Sequence, residues 1–381
     1  MRNVYISGVG MTPVGEHWGE SIRGLATQAL HNAMQDTAIT KVDAIYVGNS
    51  YGASFSSQAQ LGALIADHAG LLGVEAFTVE AGDASGGAAL RAGYMAVASG
   101  LVDHVAVVGV EKSTDIVAGA HVSARAVSLD ADVEAVHGLT LAASAALIMR
   151  RYMHEFGLDI NAFEGFSVNA HRNGSKNASA MFRNTLKQGA FAKAAMVSDP
   201  VNLFDGAPDA DGAAAVILSA TDKNNAVRIA GSAIATDTLA IHDRSDLLDF
   251  RAVHLSTQQA LRQSGFRLSD VNMFELHDMF TIFTTLSIEA VGLAERGHGW
   301  KVAERDGRLI ALDGDYPIST FGGLKARGNP PGATGVYQAV EAALQLRGEA
   351  DENQVSGVRT ALIQNLGGAA STAVTHILTS R

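Results

Sequence analysis

The 381-residue chain contains no cysteine. That one absence removes disulfides, zinc–thiolate sites and every mechanism built on a cysteine nucleophile. Charged residues are also scarce, 18% against 47% hydrophobic, so a large buried core is expected rather than disorder. Positive charge is the scarcer sign. With 28 basic and 39 acidic residues the net charge is −11, and no basic run occurs, which argues against a nucleic-acid surface. A small anionic ligand stays compatible with this balance, because a helix N-terminus and a few cations hold a phosphate locally. No apolar stretch reaches the roughly 18 residues of a membrane span. Met1–Gly10 reads as the start of a strand and not as a signal peptide. The expected location is therefore cytoplasmic, with no membrane partner.

What the chain has in abundance is glycine, 40 residues, together with alanine-rich helical patterns between short apolar runs. Strands are expected at Val4–Val9, Ala44–Val47, Val105–Val110, Ala213–Ser219, Val227–Ala230, Met273–Leu276 and Ala361–Asn365. Helices are expected at Ser21–Asp36, Gly86–Ala98, Thr140–Phe156, Val253–Ser264 and Gly335–Arg347. Apolar strands alternating with amphipathic helices predict an α/β fold with both sheet faces covered.

The order of elements repeats. Asn3–Gly10 echoes Val227–Ala233, and a helix and a strand opening at Val42-Asp43 or Val271-Asn272 follow each. Each half then has a glycine-rich turn opening a long helix, at Asp83 and at Asn329, and closes on a strand from His104 or Ala361. This reads as two copies of one unit, 1–222 and 223–381, with a loop domain inserted in the first at about 112–198. Asp83 and Asn329 are placed at helix starts, where exposed backbone N–H groups suit a nucleophile or an oxyanion hole. Both residue types are equally good helix N-caps, so capping is the competing reading.

Five segments together carry a family resemblance. GGLKARGNPPGATG at Gly322–Gly335 resembles the thiolase signature GGLKxxGHPxGATG, and ELHDMF at Glu275–Phe280 resembles the HDCF or HDAF motif. VEAGDASGGAAL at Val79–Leu90 is similar to the nucleophile turn VEAxCASGGAAL. Ser198–Leu218 is similar to the segment ending the thiolase loop domain, and Gln364–Leu378 to the C-terminal glycine-rich strand. The chain is thus identified as a member of the thiolase superfamily, resembling its sterol-carrier-protein-linked and archaeal-type branch. The resemblance implies a five-layered αβαβα fold of two similar halves, and a homodimer formed through first-half strands. It also implies coenzyme A or an acyl-CoA as ligand, with no covalently bound cofactor, and a small OB-fold, zinc-ribbon protein as partner.

Of the four positions such an enzyme uses, three depart. Asp83 stands at the nucleophile cysteine, Asn329 at the GHP histidine and Met279 at the HDCF cysteine, while His277 is retained. Gly332 and Gly368 are the glycines that the resemblance places beside the ligand. A carboxylate acyl adduct would be a hydrolysis-prone mixed anhydride, and Asn329 cannot take up a proton near neutral pH. Met279 offers an apolar sulfur without a titrating group. Ordinary thiolysis is therefore expected to be absent. The residues leave two main readings, an acyl-CoA-binding member of a complex, or an enzyme repurposed for non-covalent aldol or retro-aldol chemistry; a third, decarboxylation of a β-keto or malonyl thioester, ranks lower because no feature selects a carboxylated substrate. In the second, Asp83 is the base and His277 with Asn329 stabilise the enolate.

Several residues are expected to be structural. His277 and Asp278 point to opposite sides of an extended segment, so Asp278 is not expected to orient His277. Tyr316 and Tyr337 are expected in packing roles and His137 in solvent. No H-x-x-x-H pair suggests a metal site. Gly8–Gly10 lacks the acidic partner of a dinucleotide fingerprint.

Overall fold

The computed structural model describes residues 2–37, 39–116, 118–187, 189–222 and 225–380. The first half runs β1 (Tyr5–Met11), α1 (Ile22–Gln35), β2 (Ala44–Gly48), α2 (Gly52–Phe55), α3 (Leu61–His68), β3 (Glu75–Val79), α4 (Ser85–Ser99) and β4 (His104–Glu111). A long connection then carries α5 (Ala118–Arg125), α6 (Leu141–Phe156), α7 (Glu164–Gly174), β5 (Met196–Ser198) and β6 (Val201–Asn202), and leads to β7 (Gly212–Ser219). The second half runs β8 (Val227–Thr236), α8 (Arg251–Ser264), β9 (Met273–Glu275), α9 (Thr281–Val291), α10 (Glu304–Gly307), α11 (Pro331–Arg347), β10 (Thr360–Gly367) and β11 (Thr372–Thr379).

The main sheet has the order β3-β2-β4-β7-β1-β8-β11-β10-β9. Around its middle the two halves repeat. β2 is parallel to β4, β4 antiparallel to β7, and β7 antiparallel to β1. In the second half β9 is parallel to β10, β10 antiparallel to β11, and β11 antiparallel to β8. Within the main sheet the halves meet where β1 pairs with β8, through Tyr5↔Arg228 and Ile6↔Val227. α1 and α3 cover the outer face of the first strands and α8 that of the second, while α4 and α11 lie between and touch both sets. This is the αβαβα layering of the thiolase fold. Buried Leu90, Val97, Val336 and Val340 fill the central layer.

Expected and observed elements agree where the pattern is local. Thr140 caps α6 by accepting from the Ala143 N–H, and Ser21 caps α1 through Gly24. β3 is an additional strand: it is a sheet edge with Glu75, Phe77 and Thr78 exposed, so it lacks the apolar run that marks a buried strand. Helix α11 starts earlier than Gly335, at Pro331, because proline suits a first helical turn where no N–H is needed.

The central helices meet backbone to backbone. A Cβ on Gly86 would lie 2.9 Å from the Gly332 carbonyl oxygen, and one on Gly335 would lie 2.2 Å from the Gly87 nitrogen. Only glycine allows that approach. It brings the starts of α4 and α11, and with them Asp83 and Asn329, to one place.

Candidate active site

Asp83 is buried at 1% exposure, and its carboxylate does not cap α4, whose N-cap is Ala84. Instead Oδ1 accepts from the Tyr51 hydroxyl at 2.6 Å and Oδ2 from Arg125 Nη2 at 2.5 Å. The capping reading is thus corrected: a buried charge is drawn to the strongest donors in reach, and a guanidinium outranks a backbone N–H. Arg125 also donates through Nη1 to Asp209, lies 5.5 Å from the centre of the Tyr51 ring, and comes within 3.9 Å of the Met279 sulfur. Burial disfavours the Arg125 charge, but the two carboxylates outweigh it and hold the group protonated well above its ordinary range. The Tyr51 phenol is likewise pushed far up, first by burial and then by the Asp83 charge.

His277 follows β9 and is fully enclosed. Its Nδ1 lies 3.0 Å from Asn365 Nδ2, while Asn365 Oδ1 accepts from the Gly87 N–H at 3.0 Å. With the amide so oriented, Nδ2 donates to Nδ1 and the imidazole proton sits on Nε2. Burial moves the His277 pKa down to about 4, so the ring is neutral near pH 7 and is a hydrogen-bond donor there. Asp278 points elsewhere, accepting from Leu324 N and Ser319 Oγ, as strand alternation predicts.

Asn329 does not cap α11 either, since Pro330 is the N-cap and makes no side-chain cap bond. Asn329 Oδ1 accepts from Thr334 Oγ1 at 2.8 Å, and its backbone is tied to Pro208 and Ala210. Its Nδ2 is buried without a partner. A buried amide donor left open costs free energy unless a ligand acceptor meets it. It therefore fits a carbonyl oxygen, and so does the His277 Nε2–H.

A cavity of about 750 Å³ opens beside these groups. Leu141, Phe182, Val201, Phe204 and Phe280 contribute apolar wall, and Arg125, Asp209, Met279 and Lys325 are also on it. Asp83, His277 and Asn329 are not on the wall; Arg125 touches both the cavity and Asp83. Gly368 lies next to the nucleophile turn, its nitrogen 3.4 Å from where a Cβ on Gly82 would be. Gly332 packs against Asn49, and its N–H is given to Glu111. Tyr337 is packed, donating to the Thr12 carbonyl, and His137 is exposed. Among the described residues no group of three or more His, Cys, Asp or Glu is placed to hold a metal ion.

Glu111, at the end of β4, fastens this region. It accepts from Asn49 Nδ2 at 2.9 Å, Ser50 N at 3.0 Å and Gly332 N at 3.1 Å. Burial raises its pKa from 4.5 to about 7 against these donors. The folded chain then binds the proton more tightly than the unfolded one, so stability falls as pH rises from about 4.5 to about 7. The loss is on the order of 3 kcal/mol. Denaturant midpoints at pH 5 and 7.5 should show the native protein losing stability relative to Glu111→Gln over that range; a constant difference between the two proteins would remove Glu111 as a source of pH dependence.

The motifs located Asp83, His277, Asn329 and Met279. They did not locate Tyr51, Arg125, Asp209 or Asn365 as members of the same cluster. One signal was legible: an aspartate in a turn expected to be buried needs a cation, and the insertion supplies arginines.

Residues 4–196 match the family described as Thiolase, N-terminal domain, and residues 233–380 match Thiolase C-terminal domain-like. An acetyl-CoA acetyltransferase of Methanothermobacter thermautotrophicus is 41% identical, the match covering 99% of each chain. Sterol carrier protein 2 of Rattus norvegicus is 29% identical over 96% of this chain and 70% of its own length. Among solved structures, the Ltp2-ChsH2(DUF35) aldolase superposes with a TM-score of 0.84 at 25% identity, covering 99% of this chain and 97% of that one.

Proposed function

We propose, from the premise that this chain belongs to the thiolase family, that it binds a coenzyme A thioester beside Arg125 without forming an acyl-enzyme. The observation that carries this reading is the Asp83–Arg125 ion pair. Where the family's motif has a thiol, this chain has a carboxylate already engaged by a guanidinium and a phenol. A group so held is a poor nucleophile, and its acyl adduct would hydrolyse. Met279 and Asn329 supply no general base. His277 Nε2–H and Asn329 Nδ2 remain as donors for the thioester oxygen.

The protein acts, in this reading, as an acyl-CoA-holding member of a complex. A DUF35 protein is named in the aldolase complex to which the fold is similar, and it is the model for a small partner here. The free edge of β3, with Phe77 43% exposed, supports a homodimer. The proposed place of action is the cytoplasm; among the described residues no helix is long and apolar enough to cross a membrane.

Titration calorimetry with coenzyme A and with acetyl-, acetoacetyl- and longer acyl-CoAs tests the proposal. Micromolar binding, about −8 kcal/mol, is expected, with no acyl mass added to the protein afterwards. A stable acyl adduct, or thiolysis of acetoacetyl-CoA, would overturn it.

The likeness to the aldolase favours a second reading, carbon–carbon cleavage of a β-hydroxyacyl thioester. A base takes the β-hydroxyl proton, the Cα–Cβ bond breaks, and its electrons pass to a thioester enolate held by His277 and Asn329. Protonation at Cα then gives an acyl-CoA and a free carbonyl compound. Asp83 is the candidate base, although Arg125 and Tyr51 already occupy its oxygens. Lyase activity unchanged in Asp83→Asn would exclude it from that role.

A further inference from the structure

The charges around the cavity point to which acyl groups it accepts. We infer that this cavity selects uncharged, apolar acyl chains and rejects acyl chains that carry a carboxylate. The inference rests on the reading that the cavity takes the acyl portion of a coenzyme A thioester.

Two basic side chains stand on the wall, Arg125 and Lys325, and neither is free to receive an anion; burial, moreover, lowers the Lys325 pKa below its ordinary value. Arg125 divides its guanidinium between Asp83 and Asp209. Lys325 gives its ammonium to the Asp205 carbonyl oxygen and lies in the field of the Asp205 and Asp278 carboxyl groups. Two basic groups thus face four carboxyl groups, two of which, Asp205 and Asp278, have their pKa values pushed up by burial. The remaining titratable wall groups, His121 and His171, add no positive charge near neutral pH, because burial holds both below the ordinary imidazole range.

A ligand carboxylate entering this space leaves water and meets cations already compensated. Burying a charge without a new partner is strongly unfavourable, and displacing Asp209 from Arg125 only exchanges one carboxylate for another. An alkyl chain meets no such barrier. Against Leu141, Val201, Phe204 and Phe280, each buried methylene raises affinity by about fourfold. Asp209 is the specificity-determining residue, because its charge holds the Arg125 face toward the cavity neutral.

The test compares hexanoyl-CoA with adipoyl-CoA, six-carbon acyl groups differing in a terminal carboxylate, alongside coenzyme A itself. Hexanoyl-CoA is expected to bind more tightly than coenzyme A, and adipoyl-CoA at least about tenfold more weakly than hexanoyl-CoA. In Asp209→Asn the gap narrows because adipoyl-CoA gains affinity while hexanoyl-CoA does not. Equal binding of the two thioesters, or preference for adipoyl-CoA, overturns the inference while leaving thioester binding intact. If coenzyme A and both thioesters fail to bind the folded protein, the binding reading fails and the selectivity with it. The wild-type comparison decides the matter even if the variant does not fold.

Discussion

Replacing Arg125 by methionine lowers folding stability by about 3–5 kcal/mol, the range found when one partner of a buried ion pair is removed. The size follows from what is left behind. Asp83 is 1% exposed, and without the guanidinium only the Tyr51 hydroxyl satisfies its charge. Methionine keeps most of the side-chain length, so lost volume contributes little. The second ion pair, with Asp209, adds little because that carboxylate is 36% exposed and keeps water as an alternative partner. The partner variant separates charge from packing. Asp83→Asn removes the stranded charge, so the Arg125→Met/Asp83→Asn double variant recovers most of the loss and the two changes are strongly non-additive. Urea or guanidinium midpoints for the four proteins measure this. Additive losses, or a cost under about 1 kcal/mol for Arg125→Met, would show that the pair does not bear on the stability of the turn.

Acid should destabilise the protein through two enclosed imidazoles. His277 is pushed down from 6.5 to about 4 and His376 from 6.5 to about 3, in each case chiefly by burial. Both are then neutral in the folded chain over a range in which the unfolded chain binds protons. Stability is therefore fully present above about pH 6.5 and falls as pH drops toward the folded-state values. For His376 the loss is on the order of 4 kcal/mol by pH 3. The carboxyl groups of Glu111 and Glu275, whose pKa values are pushed up to about 7 and about 8, act in the opposite sense. The histidine contribution is accordingly read as a difference between proteins. His376 Nε2 faces the Gly87 carbonyl oxygen at 3.1 Å, so His376→Gln keeps a donor there and removes the titrating ring. The wild type should lose stability relative to this variant between pH 6.5 and pH 4. A constant difference across that window would contradict burial of a neutral ring.

His277 and His376 show why burial and function are separate questions. Both are enclosed and both are held neutral, yet Nε2 of His376 is spent on the backbone of α4 while His277 has only its Nδ1 fixed by Asn365. Motif position singled out His277 and passed over His376. The bond pattern supplies the physical distinction, because a donor already given to a carbonyl oxygen is not available to a ligand.

Residue pattern alone determined the alternation of apolar strands and alanine-rich helices, the repeated order of elements, and the two glycine-rich turns. These are short-range features, set by side-chain period and by where glycine and proline are tolerated. The absence of cysteine likewise settled, without any coordinates, which chemistry is unavailable. The edge strand β3 was not legible because a strand open to solvent on one side does not need a continuous apolar run. Only the tertiary structure decided what Asp83 does. A lone aspartate before a helix reads as a cap, and its actual partners lie 32 and 42 residues away, at Tyr51 and Arg125. The open Nδ2 of Asn329 and the Nε2 proton of His277 are of the same kind, since each is defined by what the rest of that side chain already holds. Sequence specifies which groups exist; packing decides which of their hydrogen bonds are left to give.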